Sequence, residues 1–278
     1  MAHLRLGEWQ KAPRVLPEGV RVFAVGDIHA HLDQSKCMSQ YLRKELSEGP
    51  TDLENVVVWL GDYIDRGLHP LECLDLVAAG LKEPGSSNVT GVTEIALRGN
   101  HEQFLLDVVD NPLPSQRWID IWTMNGGQDT LDALLPGESW DRPEGLAALL
   151  RQAMGEERLA FLRARPLSYA LGDYFFAHAG MNPRKSQEDQ GEEDLLWIRE
   201  PFLTGADWPF SVTVVHGHTP ENPCCLPHRI GVDSGVFISG NLTAVELMGD
   251  QLRFITAEGR GHKANKGIFS RLLGAMGR

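Results

Sequence analysis

An α/β fold is predicted by two features of the sequence and bounded by a third. Short apolar runs of strand length recur along the 278 residues, and several end abruptly in a glycine beside acids or histidines. Between the first of these runs lie stretches with apolar residues at helical spacing, so the chain opens β-α-β-α, the unit of α/β domains. A hydrophobic content of 42% and a charged content of 23% are ordinary for a globular protein of this length and supply a substantial core.

Residues 1–19, with Pro13 and Pro17, read as an irregular lead-in. The first strand spans 20–25, and Gly26 permits its tight exit into Asp27-Ile28-His29. Side chains two apart in extended chain point the same way, so Asp27 and His29 either grip one metal ion or are a loop acid and an unrelated histidine. A helix is expected from Leu32 to Leu46, stopped by Gly49-Pro50. His31, just before it, either reaches the metal edge or the substrate, or is solvated. The run Val56-Val57-Val58-Trp59-Leu60 is a buried strand that turns into Gly61-Asp62-Tyr63-Ile64-Asp65-Arg66-Gly67. A polar loop at a strand end is where α/β folds place their chemistry. A helix over 71–81, a loop at Gly85-Ser86-Ser87-Asn88 and a third strand over 93–97 lead to Arg98-Gly99-Asn100-His101-Glu102.

These three clusters, Gly-Asp-Ile-His, Gly-Asp-Tyr-Ile-Asp-Arg-Gly and Arg-Gly-Asn-His-Glu, resemble in type and order the signature of the phosphoprotein phosphatase family of calcineurin-like metallophosphoesterases. The resemblance implies the four-layer α+β form of the α/β class, a central β-sandwich flanked by helices, with a catalytic domain over 20–258. Residues 103–165 are largely helical and are expected to form a cap inserted between the halves of the sheet; their Met and Trp residues read as packing. Tyr174-Phe175-Phe176-Ala177 is a further strand, and His178-Ala179-Gly180 after it resembles the fourth family motif, with Ala179 where Gly is common. Ala30 likewise stands where Gly commonly follows the first histidine. A Leu-Trp-x-Arg segment supplies a phosphate-binding arginine in the bacterial branch, and here that segment ends in Arg199.

The strand 211–215 delivers His216-Gly217-His218-Thr219-Pro220, which resembles the fifth motif, with His218 as the matching ligand and His216 as a packed residue. Strands follow over 229–235 and 242–247, and 251–255 pairs with the latter across the hairpin signal Gly249-Asp250. Asp233 either orients a metal-bound histidine or forms a turn. Residues 259–278 form a basic tail, read as docked on the body or disordered, with a partner or membrane-surface contact as the minor alternative.

The resemblance implies two divalent ions. Asp27, His29 and Asp62 hold one; Asp62, Asn100, His178 and His218 hold the other, with Asp62 as the bridge. Mixed carboxylate, imidazole and amide donors suit Mn²⁺, Fe or Zn²⁺, and Mn²⁺ is expected. A hydroxide bridging the ions attacks phosphorus directly while Arg66 and Arg199 neutralise the phosphoryl oxygens. His101 is the general acid, and Asp65 fixes its tautomer and favours its protonated form. The implied substrates are phosphorylated proteins or peptides. The alternative is a symmetrical diadenosine tetraphosphate hydrolase, although that branch usually has Trp where this chain has Thr219. A non-catalytic scaffold on the same fold predicts missing ligands, and none is missing.

Bulk properties narrow the partners. There are 26 Lys and Arg against 38 Asp and Glu, a net charge of −12, which repels nucleic acid. No apolar stretch approaches the roughly 20 residues that span a bilayer. Residues 1–17 lack the apolar core of a secretory signal. Cys37, Cys73, Cys224 and Cys225 show no disulfide framework and read as reduced thiols of a cytoplasmic protein.

Overall fold

Residues 3–11 form two short strands, β1 (His3–Leu6) and β2 (Gln10–Lys11), both antiparallel to the final strand of the chain. This corrects the irregular lead-in. His-Leu-Arg-Leu is too short an alternation to stand out, and its pairing is set from the far end of the chain, where Arg5 and His3 meet Glu258. The computed structural model describes residues 2–50, 52–81, 91–140, 142–205 and 207–261.

The next two strands, β3 (Val20–Val25) and β4 (Glu54–Trp59), explain the layers. Val22, Ala24, Val56 and Val58 face one core, and Phe23, Val25, Val57 and Trp59 face another. That is the period-two alternation of a strand buried on both sides. Helices α1 (Leu32–Glu48) and α2 (Pro70–Ala79) cross between β3, β4 and β5 (Val92–Ala96), which run parallel. Pro70 starts α2 at a position where its missing N–H costs nothing.

Five helical segments follow: α3 (Asn100–Val109), α4 (Gln116–Trp122), α5 (Gln128–Leu134), α6 (Pro143–Met154) and α7 (Glu156–Arg163). A kinked turn, Thr123–Gly127, joins α4 to α5, with Gly126 at φ 110° breaking the helical path. Phe104, Trp122, Leu146, Leu150 and Leu159 share one core with Phe23, Trp59 and Leu42. The helical region, inserted in sequence between β5 of the first sheet and β6 of the second, shares the core on the outer side of the first sheet.

The second sheet is built from β6 (Ser168–Leu171), β7 (Tyr174–Ala177), β8 (Thr213–His216), β9 (Cys224–Cys225) and β10 (Arg229–Gly231), in the order β6-β7-β8-β10-β9. Strands β7, β8 and β10 are parallel. Tyr174, Phe176, Val215 and Ile230 meet Val22, Ala24, Val56 and Val58 between the sheets. Its outer face is covered by Leu195 of α8 (Glu192–Trp197) and by Phe202. After a short helix, α9 (Val236–Ser239), the chain returns to the first sheet as β11 (Asn241–Met248) and β12 (Gln251–Glu258). Met248 pairs with Gln251 across Gly249-Asp250, with Gly249 at φ 58° as the tight hairpin demands. The first sheet then reads β1-β12-β11-β3-β4-β5. The loop at 85–88 and all but the first three residues of the basic tail lie outside the described residues. Among the described residues no helix is long and apolar enough to cross a membrane, and all four cysteines are free.

Candidate active site

Strands β3, β4, β5, β7 and β8, drawn from both sheets, end at one place and carry Asp27 with His29, Asp62, Asn100 with His101, His178 and His218. All seven side chains are buried. The loops after β3 and β4 are zipped together: the Ile28 and His29 N–H groups donate to the Asp62 carbonyl at 3.1 and 2.8 Å, and Ala30 donates to Tyr63 at 3.0 Å. Backbone strain collects here. Among the described residues, seven non-glycine residues adopt a left-handed φ, and six of them are His29, Ala30, Asp62, Asp65, Arg66 and His218. Such residues persist only where surrounding contacts over-determine them.

Glu102 supplies many of those contacts. Its Oε2 accepts the N–H groups of Asp62 and Gly99 at 2.8 and 2.9 Å, and its Oε1 accepts those of Tyr63 and Ile64 at 2.7 and 3.3 Å. Two glycines leave room for the carboxylates. A Cβ on Gly99 would stand 2.2 Å from Asp62 Oδ1, and one on Gly217 would stand 2.0 Å from Asp27 Oδ1. The Gly217 site is closed further by the His218 N–H, which donates to both Asp27 oxygens at 3.2 and 3.0 Å.

The donor atoms fit divalent cations. Asn100 Oδ1 lies 2.8 Å from His178 Nε2 and 3.0 Å from His218 Nδ1. The other nitrogen of His178 donates to the Leu60 carbonyl at 2.9 Å, and burial pulls the ring's pKa down to about 3, so Nε2 presents a lone pair. A lone pair facing an amide oxygen is repulsive unless a cation lies between them. His29 is fixed in the same manner: its Nδ1 bonds the Ile64 carbonyl at 3.1 Å, and its Nε2 faces Asp62 Oδ2 at 3.5 Å and Asp27 Oδ2 at 3.9 Å. Asp62 Oδ1 lies 3.4 Å from His178 Nε2, so the two oxygens of one carboxylate face two donor groups. Among the described residues, Asp62 belongs to both clusters with ligand spacing, His29–Asp62–His101 and Asp27–Asp62–His178.

Electrostatics agree with that fit. Burial raises Asp62, with Glu102 adding to it; burial raises Asp27, helped by Asp233 and Asp62. Burial also lowers His29 and His218, so the imidazoles are neutral donors. A bound cation reverses the penalty on the carboxylates and keeps the imidazoles unprotonated.

Around this centre, His101 Nδ1 lies 2.6 Å from Asp65 Oδ2, and its Nε2 turns toward Asp62 Oδ2 at 3.8 Å. The proton balance differs from the expectation. Burial, then the Arg66 charge and the neighbouring His178 ring, lowers His101, while burial raises Asp65 to about 7. Desolvation outweighs the attraction expected from the carboxylate. Arg66 Nη1 donates to His29 Nε2 at 3.0 Å, and its guanidinium lies 4.7 Å over the Phe237 ring. Arg199 lies in the wall of a cleft of 510 Å³ with Trp197 and Asn182. Desolvation and the nearby Arg66 lower its pKa, while Asp233 and Asp62 raise it, so two guanidiniums face the same acids.

Three neighbours resolve the alternatives left by the sequence. His31 is buried at the start of α1 with Nδ1 2.5 Å from the His29 carbonyl, and is not a solvated residue. His216 is packed, bonding Gly217 O at 2.9 Å and Arg229 Nη1 at 3.3 Å. Asp233 accepts from Gly235 N–H at 2.8 Å in a turn, beside Asp27. Sequence reasoning gave no role to Glu102, Trp122 or Thr130, yet Trp122 Nε1 donates to Asp65 Oδ2 at 2.7 Å and Thr130 Oγ1 donates to Asp65 Oδ1 at 2.5 Å. Glu102 had a signal, because it stands three residues after the Gly99 cap, where a helix-start acid reaches back to backbone N–H groups. Trp122 and Thr130 had none beyond helical periodicity.

The calcineurin-like phosphoesterase family matches residues 20–236. Serine/threonine-protein phosphatase 1 of Salmonella typhimurium is 30% identical over 247 residues, spanning 81% of this chain and 91% of that protein. A solved structure assigned provisionally as a diadenosine tetraphosphatase superposes with a TM-score of 0.60 at 19% identity, covering 89% of this chain and 97% of the other. A cold-active protein tyrosine phosphatase superposes with a TM-score of 0.55, also at 19% identity, covering 87% and 79%. At that identity the two structures speak for the fold alone.

Proposed function

The chain belongs to the calcineurin-like phosphoesterase family and is a hydrolase acting on phosphoesters, and from that premise we propose that it is a manganese-dependent phosphoprotein phosphatase. The observation that carries this reading is the convergence of Asp62 with two imidazole-bearing clusters, in a chain 30% identical over most of its length to a serine/threonine phosphatase. We assign Asp27, His29 and Asp62 to one ion and Asp62, Asn100, His178 and His218 to the other. Two divalent ions held there would lower the pKa of water and set positive charge against the phosphoryl oxygens.

The chain's own groups do the rest. Arg66 and Arg199 bind the phosphoryl group, Arg66 steadied by the Phe237 ring. His101 presents Nε2 to the centre, and with its Nδ1–H held by Asp65 it gives the leaving oxygen a proton from Nε2 in the doubly protonated form and is left as the neutral Nδ1–H ring. Buried walls keep bulk water from screening these charges.

The test is phosphate release from a phosphopeptide panel with Mn²⁺, run beside ADP release from diadenosine tetraphosphate at equal concentration. Faster turnover of phosphopeptides is expected. Faster release of ADP would transfer the assignment to dinucleoside polyphosphate hydrolysis, and turnover of neither by metal-loaded protein would remove the catalytic reading.

A further inference from the structure

Asp65 and Arg66 are adjacent, both left-handed at φ 66° and 59°, and both are held from behind by one short segment. Thr130 Oγ1 accepts the Asp65 N–H at 3.0 Å and donates to the same residue's Oδ1. Trp122 Nε1 donates to Oδ2, the oxygen that also meets His101. Between those two residues runs the kinked turn Thr123–Gly127. Its Gly126 carbonyl accepts the Arg66 N–H at 3.2 Å, and its Asn125 carbonyl accepts Arg66 Nε at 2.9 Å. The two glycines of the turn make the approach feasible. Gly126 has φ 110°, and a Cβ there would lie 2.4 Å from Arg66 Cγ; a Cβ on Gly127 would lie 2.4 Å from Trp122 Nε1.

We propose that Trp122, Thr130 and the turn Thr123–Gly127 act as a positioning clamp that sets the His101–Asp65 pair and Arg66 together, keeping proton donor and phosphate ligand in register. The proposal rests on the roles given above to His101 and Arg66. An indole N–H is donor only, so placing it on Oδ2 favours the carboxylate form of Asp65. That carboxylate accepts a hydrogen bond from the Nδ1–H of His101 and holds the ring with Nε2 facing the centre. The Thr130 hydroxyl closes the other oxygen, so the carboxylate cannot rotate away from the imidazole. Trp122 and Thr130 are fully buried, so no water replaces either donor. None of the clamp residues is among the proposed metal-binding or phosphate-binding groups; they work through Asp65 and Arg66.

Leaving-group dependence separates this role from simple packing. The full chain with Mn²⁺ is assayed on a phosphoserine peptide, whose alkoxide needs a proton, and on 4-nitrophenyl phosphate, whose phenolate leaves without one. In Trp122→Phe and Thr130→Val, kcat on the peptide is expected to fall about 10- to 100-fold, and on the aryl ester by less than about threefold. Thr130→Ser, which keeps the hydroxyl, restores the peptide rate. Gly126→Ala, which displaces Arg66, raises KM for both substrates alike with the ratio of their kcat values unchanged. Equal fractional losses on the two substrates in Trp122→Phe and Thr130→Val would overturn the clamp.

A second readout needs no turnover. The His101 Nδ1 proton, in its 2.6 Å contact with Asp65, should give a downfield proton resonance that is absent in His101→Gln and shifts in Trp122→Phe and Thr130→Val. An unchanged resonance in both variants overturns the proposal. A shifted resonance in a protein that hydrolyses neither ester upholds the clamp and discards the phosphatase reading.

Discussion

The site has two halves built in different ways. The strand-end half carries Asp27, His29, Asp62, Asn100, His178 and His218 on loops that break sharply from apolar strands. The helical half holds Asp65 and Arg66 from behind through Trp122, Asn125, Gly126 and Thr130. In the first half the titratable groups conflict with their surroundings: burial raises the acids Asp27 and Asp62 and lowers the imidazoles His29, His178 and His218. In the second half chemistry and packing agree, because Trp122 fills the core with its ring and spends its one N–H on Asp65. Where a side chain does both jobs, nothing about it looks unusual locally.

Substitutions can break or sharpen that contrast. The largest effect is expected at the junction of the halves. His101→Ala should lower kcat on a phosphoserine peptide by about 10²- to 10⁴-fold while metal content stays as in the wild type. A metal titration beside the kinetics checks this, and a parallel loss of metal would make His101 a ligand, as its place in the His29–Asp62–His101 cluster permits. Next comes Glu102→Ala. It leaves four buried N–H groups without their acceptor, and should cost at least about 3 kcal/mol in chemical denaturation. A loss below about 1 kcal/mol would show that the loops of the strand-end half hold themselves. The smallest effect is expected for Ala30→Gly. Ala30 sits at φ 54°, where glycine is unstrained, so relief of strain opposes the added freedom of the unfolded chain. Thermal unfolding should put this variant within about 1 kcal/mol of the wild type.

The same contrast explains what was legible in the sequence. Strands β3, β4 and β7 and the 248–251 hairpin were readable because apolar runs and glycine punctuation are local signals. The strand-end residues were readable because acids and histidines interrupt those runs in a recognisable order. β1 was not, because its four residues gain their meaning only from Glu258 and β12. The insertion over 103–165 was legible as helical, but helical periodicity reveals an apolar face and not which core receives it: Phe104 and Leu146 enter the core of the first sheet. The direction of the His101 shift was missed because the carboxylate was visible in sequence and the depth of burial was not.

Asp62 is the proposed junction of the two metal sites, and metal stoichiometry decides whether it is. Equilibrium dialysis with Mn²⁺, read by elemental analysis, is predicted to give two ions per chain in the wild type and one or fewer in Asp62→Asn, with no change in the far-ultraviolet circular dichroism. Two ions retained by folded Asp62→Asn, or none bound by the wild type, would contradict the account.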